Sequence, residues 1–507
     1  MSILISIIWF LIVISVVVVV HELGHFLFAK IFNTKVEEFA IGFGPAIFKI
    51  SGKETLFRFN CIPLGGYVKL GGEEIFDEES KQDDPTLFYN KKPWQKLLIT
   101  AAGPIFSFLL GYFIFIGIAG LYGFPQVVIG DVSQGSPAED AGLMPGDIIR
   151  KVNGKYIFNQ GILGMEISEG NPLEMTLIRN DEEIVTNVVP TLVGDRAVFM
   201  LNYIKNLDQL NLYGEEIFSI NGEEDIFPVM KQMDVGDPIE VQLKNGVVFK
   251  GNLIYYSYTP PTYIIGITYS YFSNEINQDL NYFKKGDKIV SINDVYIEKS
   301  VDLEKMITRI QLNLDEVIFS VTENIIDNEY KPIFSDILFI GIERDTGFTE
   351  IQISKGDFLN DISKPGALVP SYPNWKPKGF DFLSVPIHWA NYLITLTFQS
   401  LGQLFTGKLG SEDVVGIVGL SVIIGEAAKF GLEAILELMA LITIGLGAFN
   451  LIPIPGLDGG RIVFSIYELI ARKPVSPKVE AIVNTIGFLF LIFLVIFVTY
   501  NDIMRFF

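Results

Sequence analysis

Met1-Ser2-Ile3-Leu4-Ile5-Ser6-Ile7-Ile8-Trp9-Phe10-Leu11-Ile12-Val13-Ile14-Ser15-Val16-Val17-Val18-Val19-Val20-His21-Glu22-Leu23-Gly24-His25 is the stretch around which the chain is organised. Uncharged residues from Met1 to Val20 run straight into His-Glu-Leu-Gly-His, so a metal-site pattern closes a membrane-length apolar segment. On a helix, positions four apart lie about 40° from each other around the axis, so His21 and His25 can offer imidazole nitrogens to one ion. Glu22 then projects beside that ion, where a general base is needed. The chain has three histidines and two of them are in this stretch. The plainer alternative, polar residues fraying a helix end, leaves His-Glu-His at membrane depth without a partner, which is costly.

At 507 residues the length prior allows about three or four domains. A mean hydropathy of +0.38 points to a membrane protein. The single Cys61 excludes an intrachain disulfide, so stability must come from burial. Of the net charge of −21, residues 123 to 430 supply −19, with 42 acids against 23 bases. An acidic surface of that sign argues against nucleic acid as a partner. Met1–Val20, Leu97–Phe124, Leu438–Leu457 and Ala481–Tyr500 are each uncharged over about the 20 residues that a crossing needs. The first lacks a basic n-region and a small-residue cleavage site, and reads as a retained anchor.

Lys and Arg near the span ends set the orientation. The loop from Lys30 to Lys96 holds ten of them, and Arg461, Arg472, Lys473 and Lys478 lie between Leu457 and Glu480. Both loops should be cytoplasmic, with both termini and the large insert outside. In the first loop, Glu37 to Leu70 alternates apolar and polar residues among several glycines, which predicts short hairpins. Their free edges could accept an extended peptide, or they could form a plain cytoplasmic β-loop. Glu73 to Asp84 reads as a solvated acidic loop. The second span contains Gly103-Pro104-Ile105-Phe106-Ser107, where Pro and Gly are tolerated inside a membrane helix and the small residues allow close packing on the first helix.

An internal repeat organises the insert. Gly146-Asp147-Ile148-Ile149-Arg150-Lys151-Val152-Asn153-Gly154 recurs, about 70 residues apart, as Gly214-Glu215-Glu216-Ile217-Phe218-Ser219-Ile220-Asn221-Gly222 and as Gly286-Asp287-Lys288-Ile289-Val290-Ser291-Ile292-Asn293-Asp294. Each copy is followed by a further turn and strand, at Asn171 to Arg179, Gly236 to Lys244 and Asn313 to Val321. With the lead-in Ser136-Pro137-Ala138-Glu139-Asp140-Ala141-Gly142-Leu143, these residues resemble the PDZ domain, which takes chain termini or extended peptides by strand addition. The middle copy lacks the lead-in. Peptide binding and a mere spacer or size filter both fit these copies.

After a Pro-rich connector, Pro365 to Pro377, the uncharged Phe382–Gly407 carries Ser384, His388, Asn391, Thr395, Gln399 and Gln403 three or four apart, the mark of an amphipathic surface helix. His388 therefore reads as a surface histidine. Val414 to Gly425 is apolar but too short to span, so it reads as re-entrant or interfacial.

Two histidines do not complete a catalytic zinc site, which usually has three protein ligands and an open position. The candidate third ligand is in Asn450-Leu451-Ile452-Pro453-Ile454-Pro455-Gly456-Leu457-Asp458-Gly459-Gly460. Asp458 is a carboxylate beside membrane, where prolines and glycines break the helix. A cap on the following helix is its other reading.

HELGH in a first membrane helix, Gly-Pro in the second, PDZ-like copies in the insert and NLIPIPGLDGG in the third helix together resemble the site-2 protease family, in particular its bacterial regulator-of-sigma-E type. The resemblance implies zinc, one ion per chain, with ligands His21, His25 and Asp458 and with Glu22 as base. It implies that Asn450 handles substrate and that Gly65, Gly66, Tyr67 and Val68 belong to a membrane-associated β-loop holding an unwound substrate strand. The chain departs from the family pattern at Ser107, where asparagine is usual, at Ile417, where proline is common, and in having three PDZ-like copies.

The implied fold is a four-helix transmembrane metalloprotease core with a cytoplasmic β-loop and extracytoplasmic tandem PDZ-like domains. Its parts are a first span (1–30), the β-loop (31–96), a second span (97–124), PDZ-like copies (125–193, 194–262 and 263–350), connecting helices (351–430), a third span (431–458), a cytoplasmic loop (459–480) and a fourth span (481–502). The implied substrates are single-span membrane proteins, such as anti-sigma factors, or leftover signal peptides, with exposed chain termini as partners of the PDZ-like copies. The implied place is the inner membrane, with the active site near its cytoplasmic side. Two other classes remain at this level: a PDZ-bearing membrane receptor with a structural metal, and a metal transporter, which the few, one-sided ligand residues disfavour.

Overall fold

The computed structural model describes residues 3–72, 84–202, 214–270, 272–293, 295–297, 300–311, 316–322, 325–330, 336–344, 346–364, 366–370, 374–406 and 415–506. The acidic run 73–83, Asp294, residues 313–315, 365 and 371–373 of the repeat and connector, and Val414 lie outside them. The chain divides into Met1–Phe124 with Lys376–Phe507, and Pro125–Trp375.

In the first unit, the Ile- and Val-rich opening run folds as helix α1 (Ile3–Ile31), continuing through the histidines. Such a run favours strands in water, but in hydrocarbon a segment must satisfy its own backbone hydrogen bonds, which selects the helix. Strands β1 (Val36–Ser51) and β2 (Leu56–Leu70) follow. They replace the expected short hairpins with two long strands: residues 36–41 pair with 66–70, 46–51 pair with 56–60, and 38–41 also lie beside 56–59. Among the described residues no other strand pairs with the 66–70 segment. Ala29, Val36, Leu70, Phe88 and Ile99 bury together and seat this sheet between α1 and helix α2 (Pro93–Leu121).

Among the described residues, the second unit contains three six-stranded antiparallel sheets, one two-stranded sheet and helices α3 (Pro137–Asp140), α4 (Gln160–Ser168), α5 (Ile226–Met230), α6 (Ser300–Gln311) and α7 (Lys355–Ile362). The repeat is physical: Asn153, Asn221 and Asn293 all have left-handed φ, at 50°, 51° and 47°. Each side-chain amide accepts from the backbone N–H of a neighbouring strand, at Glu174, Glu240 and Phe339 (3.0, 2.7 and 2.8 Å). The sheets do not follow the contiguous boundaries 125–193, 194–262 and 263–350. Thr262–Ile264 pairs with Thr191–Val193, and Ile267–Tyr269 joins Val127–Val132 in the first sheet. The hairpin Glu316–Thr322 and Ile325–Tyr330 joins Arg196–Asn202 in the second. Sheet edges are closed by strands distant in sequence, which a local repeat cannot reveal.

The first unit resumes with α8 (Asp381–Phe405), α9 (Ile417–Ala427), α10 (Leu432–Asn450), α11 (Asp458–Ala471) and α12 (Pro477–Phe506). Four helices, Ile5–Ile31, Pro93–Leu121, Leu432–Asn450 and Ile482–Met504, are long and apolar enough to cross a membrane, so the chain is a multi-pass membrane protein. Helix α8 packs by buried Val385 and Ala390 and by Trp389 against Phe115 of α2, while His388 is exposed, bonding the Ser384 carbonyl. The third span ends at Asn450, short of Asp458. The region 459–480, expected as loop, holds α11 instead, because Pro453 and Pro455 stop α10 and a new amphipathic helix starts beyond them. Phe10, Val13, Ile424 and Ile435 bury between α1, α9 and α10, where close van der Waals packing and not removal from water joins helices in lipid.

Candidate metal centre

Helix α1 carries His21 and His25 on one face, and the Pro453–Leu457 turn delivers Asp458 to them as the first residue of α11. Asp458 Oδ2 stands 3.2 Å from His21 Nε2 and 3.4 Å from His25 Nε2. The two Nε2 atoms are 3.3 Å apart. Tetrahedral ligands bound about 2.0–2.1 Å from a zinc ion stand about 3.3 Å from one another, so the spacing fits. Among the described residues no further His, Cys, Asp or Glu joins the cluster.

The outer nitrogens are already engaged. His25 Nδ1 lies 2.9 Å from the Ile99 carbonyl, an acceptor only, so Nδ1 carries the proton and Nε2 the lone pair. His21 Nδ1 lies 3.0 Å from Ser107 Oγ, which is fully buried. Asp458 Oδ2 is itself buried without a hydrogen-bond partner. With the Ser107 hydroxyl accepting from His21 Nδ1–H, three lone-pair atoms face each other and repel unless a cation sits among them. Gly103 leaves room for one: a Cβ there would lie 2.2 Å from His25 Nε2 and 2.9 Å from His21 Nε2.

A cavity of about 870 Å³ opens onto this cluster. Glu22, Asn450, Gly65, Gly66, Tyr67 and Val68 all line it, so the structure gathers every sequence-predicted site residue around one space. Gly66 lies against α1, where a Cβ would be 3.2 Å from Val18 Cγ1 and 3.6 Å from Glu22 Cγ. Tyr67 stacks on Phe43 and donates its hydroxyl to Glu38 Oε2 (2.8 Å), while burial and the Glu38 carboxylate push its phenol up, so it stays a donor that braces the sheet. Sequence reasoning missed Arg461, Asn484 and Thr485 in the lining, and the place of Ser107 under His21. Only the polar pair inside an apolar span could have marked Asn484 and Thr485.

The model of Peptidase family M50 matches residues 9–494. The chain belongs to the M50 peptidases, the site-2 protease family. Three similar proteins bear the name "Putative zinc metalloprotease". One from Thermotoga maritima is 39% identical, covering 98% of this M50 peptidase and 99% of the relative. One from Staphylococcus aureus is 28% identical over the whole of both chains, and one from Clostridium acetobutylicum 26% identical over 96% and 94%. This M50 peptidase is thus a membrane metalloprotease by family.

Proposed function

We propose that this chain is a zinc-dependent intramembrane protease that cuts membrane segments of other proteins. The observation that carries the reading is the convergence of His21, His25 and Asp458 at the ligand spacing of a metal, in the cavity that Glu22 and the β2 edge also line. These three residues would hold one zinc ion per chain, and a bound zinc supplies Lewis acidity at that point. Glu22 accepts the proton of the attacking water and returns it to the leaving amine. The 66–70 edge of β2, beside which no described strand other than β1 lies, holds a locally unwound substrate as an added strand, and Asn450 orients it.

The charge distribution supports a cytoplasmic β-loop, with both termini and the PDZ-like modules outside and the site near the cytoplasmic face of the inner membrane. Single-span proteins such as anti-sigma factors, or leftover signal peptides, fit as substrates, with exposed chain termini held by the modules. The test is turnover of a membrane-inserted reporter: Glu22→Gln keeps zinc and loses cleavage, while Asp458→Ala loses zinc by metal analysis. Undiminished cleavage by purified Glu22→Gln protein overturns Glu22 as the base, and absence of cleavage by zinc-loaded wild-type protein overturns the reading in favour of a receptor with a structural metal.

A further inference from the structure

Between Ala481 and Val498, α12 has two polar side chains, Asn484 and Thr485. An amide in hydrocarbon is costly without a partner, and the usual partner is a neighbouring helix. Here Asn484 Oδ1 is buried and has no hydrogen-bond partner. The residue lines the same cavity as His21, Glu22, His25 and Asp458.

Its direction is set by the packing of α12. A Cβ at Gly487 would lie 1.9 Å from the Pro455 carbonyl oxygen, so the helix backbone rests directly on the turn that delivers Asp458. Residue 484 is one turn earlier and shares that face. Phe488, four residues on, lines the cavity as well. The amide therefore looks into the cleft and away from lipid.

A buried acceptor without a donor is a deficit that a donor from outside can remove. In an extended strand, backbone N–H groups point alternately to the two sides. A substrate strand laid along 66–70 pairs one set with β2 and leaves the other facing the rest of the cleft. We propose that Asn484 is a substrate-binding residue whose side-chain carbonyl accepts one of these outward backbone N–H groups. This rests on the protease reading above and adds a wall to it: the scissile segment is held from α12 as well as from β2.

The test uses full-length protein in lipid nanodiscs and a fluorogenic peptide of about 20 apolar residues with a central Gly pair. Because Asn484 Oδ1 has no partner in the free protein, Asn484→Leu removes no bond of its side-chain oxygen there. Tm and zinc content should hold or rise, while KM rises about tenfold, the worth of one hydrogen bond to the substrate. In a Glu22→Gln background the peptide's Kd should weaken by the same factor, and Asn484→Gln, which keeps an amide, should fall between. A lowered Tm with unchanged KM makes Asn484 structural and overturns the inference. If wild type cleaves the peptide and Asn484→Leu has the same KM, the inference alone falls. If wild type binds the peptide but leaves it intact, the protease reading falls and takes the inference with it.

Discussion

Beneath His21 the chain places a hydroxyl where its family usually has asparagine. From the sequence, Ser107 stood out only as that departure. In the fold its Oγ is 3.0 Å from His21 Nδ1 with no exposed surface, and Thr443 Oγ1 donates to its carbonyl at 3.1 Å. A partner on the outer nitrogen fixes the imidazole's orientation, and when the Ser107 hydroxyl accepts from Nδ1–H, Nε2 presents its lone pair to the metal position. Ser107→Ala leaves that nitrogen buried and unpaired. Its zinc affinity should drop by roughly 10–100-fold in chelator competition, with Ser107→Thr restoring most of it. Unchanged affinity in the alanine variant would remove Ser107 from the site.

At the scale of elements, two features hold the metal position and the cleft together. Lys96 on α2 and Glu468 on α11 form a buried pair at 3.0 Å, with Glu468 also accepting from the Val475 N–H. Removing one partner would strand a buried charge, at a cost of about 3–5 kcal/mol. This pair fixes the helix whose first residue is Asp458. The second feature is the contact of β2 with α1 at Gly66, where a Cβ would lie 2.7 Å from the Ala40 carbonyl oxygen as well as against Val18. Gly66→Val must push the edge away from Glu22. A displacement of about 1 Å at a reacting centre costs on the order of 100-fold, so turnover should fall by that factor while bound zinc stays unchanged. Parallel loss of both would show that Gly66 serves the fold alone.

The whole molecule joins a membrane unit, which holds the candidate site, to an acidic unit of repeated turns. In the first and third copies an Asp–Arg pair locks the repeat: Arg179 on Asp147 at 2.6 Å and Arg344 on Asp287 at 2.5 Å. Burial alone would raise the Asp287 carboxyl, but hydrogen bonds from Arg344 and the Lys284 N–H outweigh it and hold the group below the usual carboxylate range. A folded pKa below the unfolded one adds stability that is present above about pH 4 and is lost as pH falls through the folded value. Asp287→Asn should therefore cost about 1–3 kcal/mol near neutral pH and flatten the acid side of the stability profile. Calorimetry of the full chain between about pH 7 and pH 3 checks both. A profile as steep as wild type would assign the acid sensitivity to other carboxylates.

What the sequence by itself determined was what local chemistry encodes. Helical spacing put His21 and His25 on one face, membrane-length apolar runs marked the spans, the proline and glycine break exposed Asp458 as a third donor, and the Asn turns marked the repeat. These are short-range or compositional signals, and each survives being read one segment at a time. Tertiary structure alone decided the contacts that join residues distant in the chain: Ser107 under His21, Glu468 on Lys96, Asn484 in the cleft, and the strands that close each sheet from outside its own repeat. No periodicity carries those pairings, because they depend on which faces meet once the helices and sheets are packed.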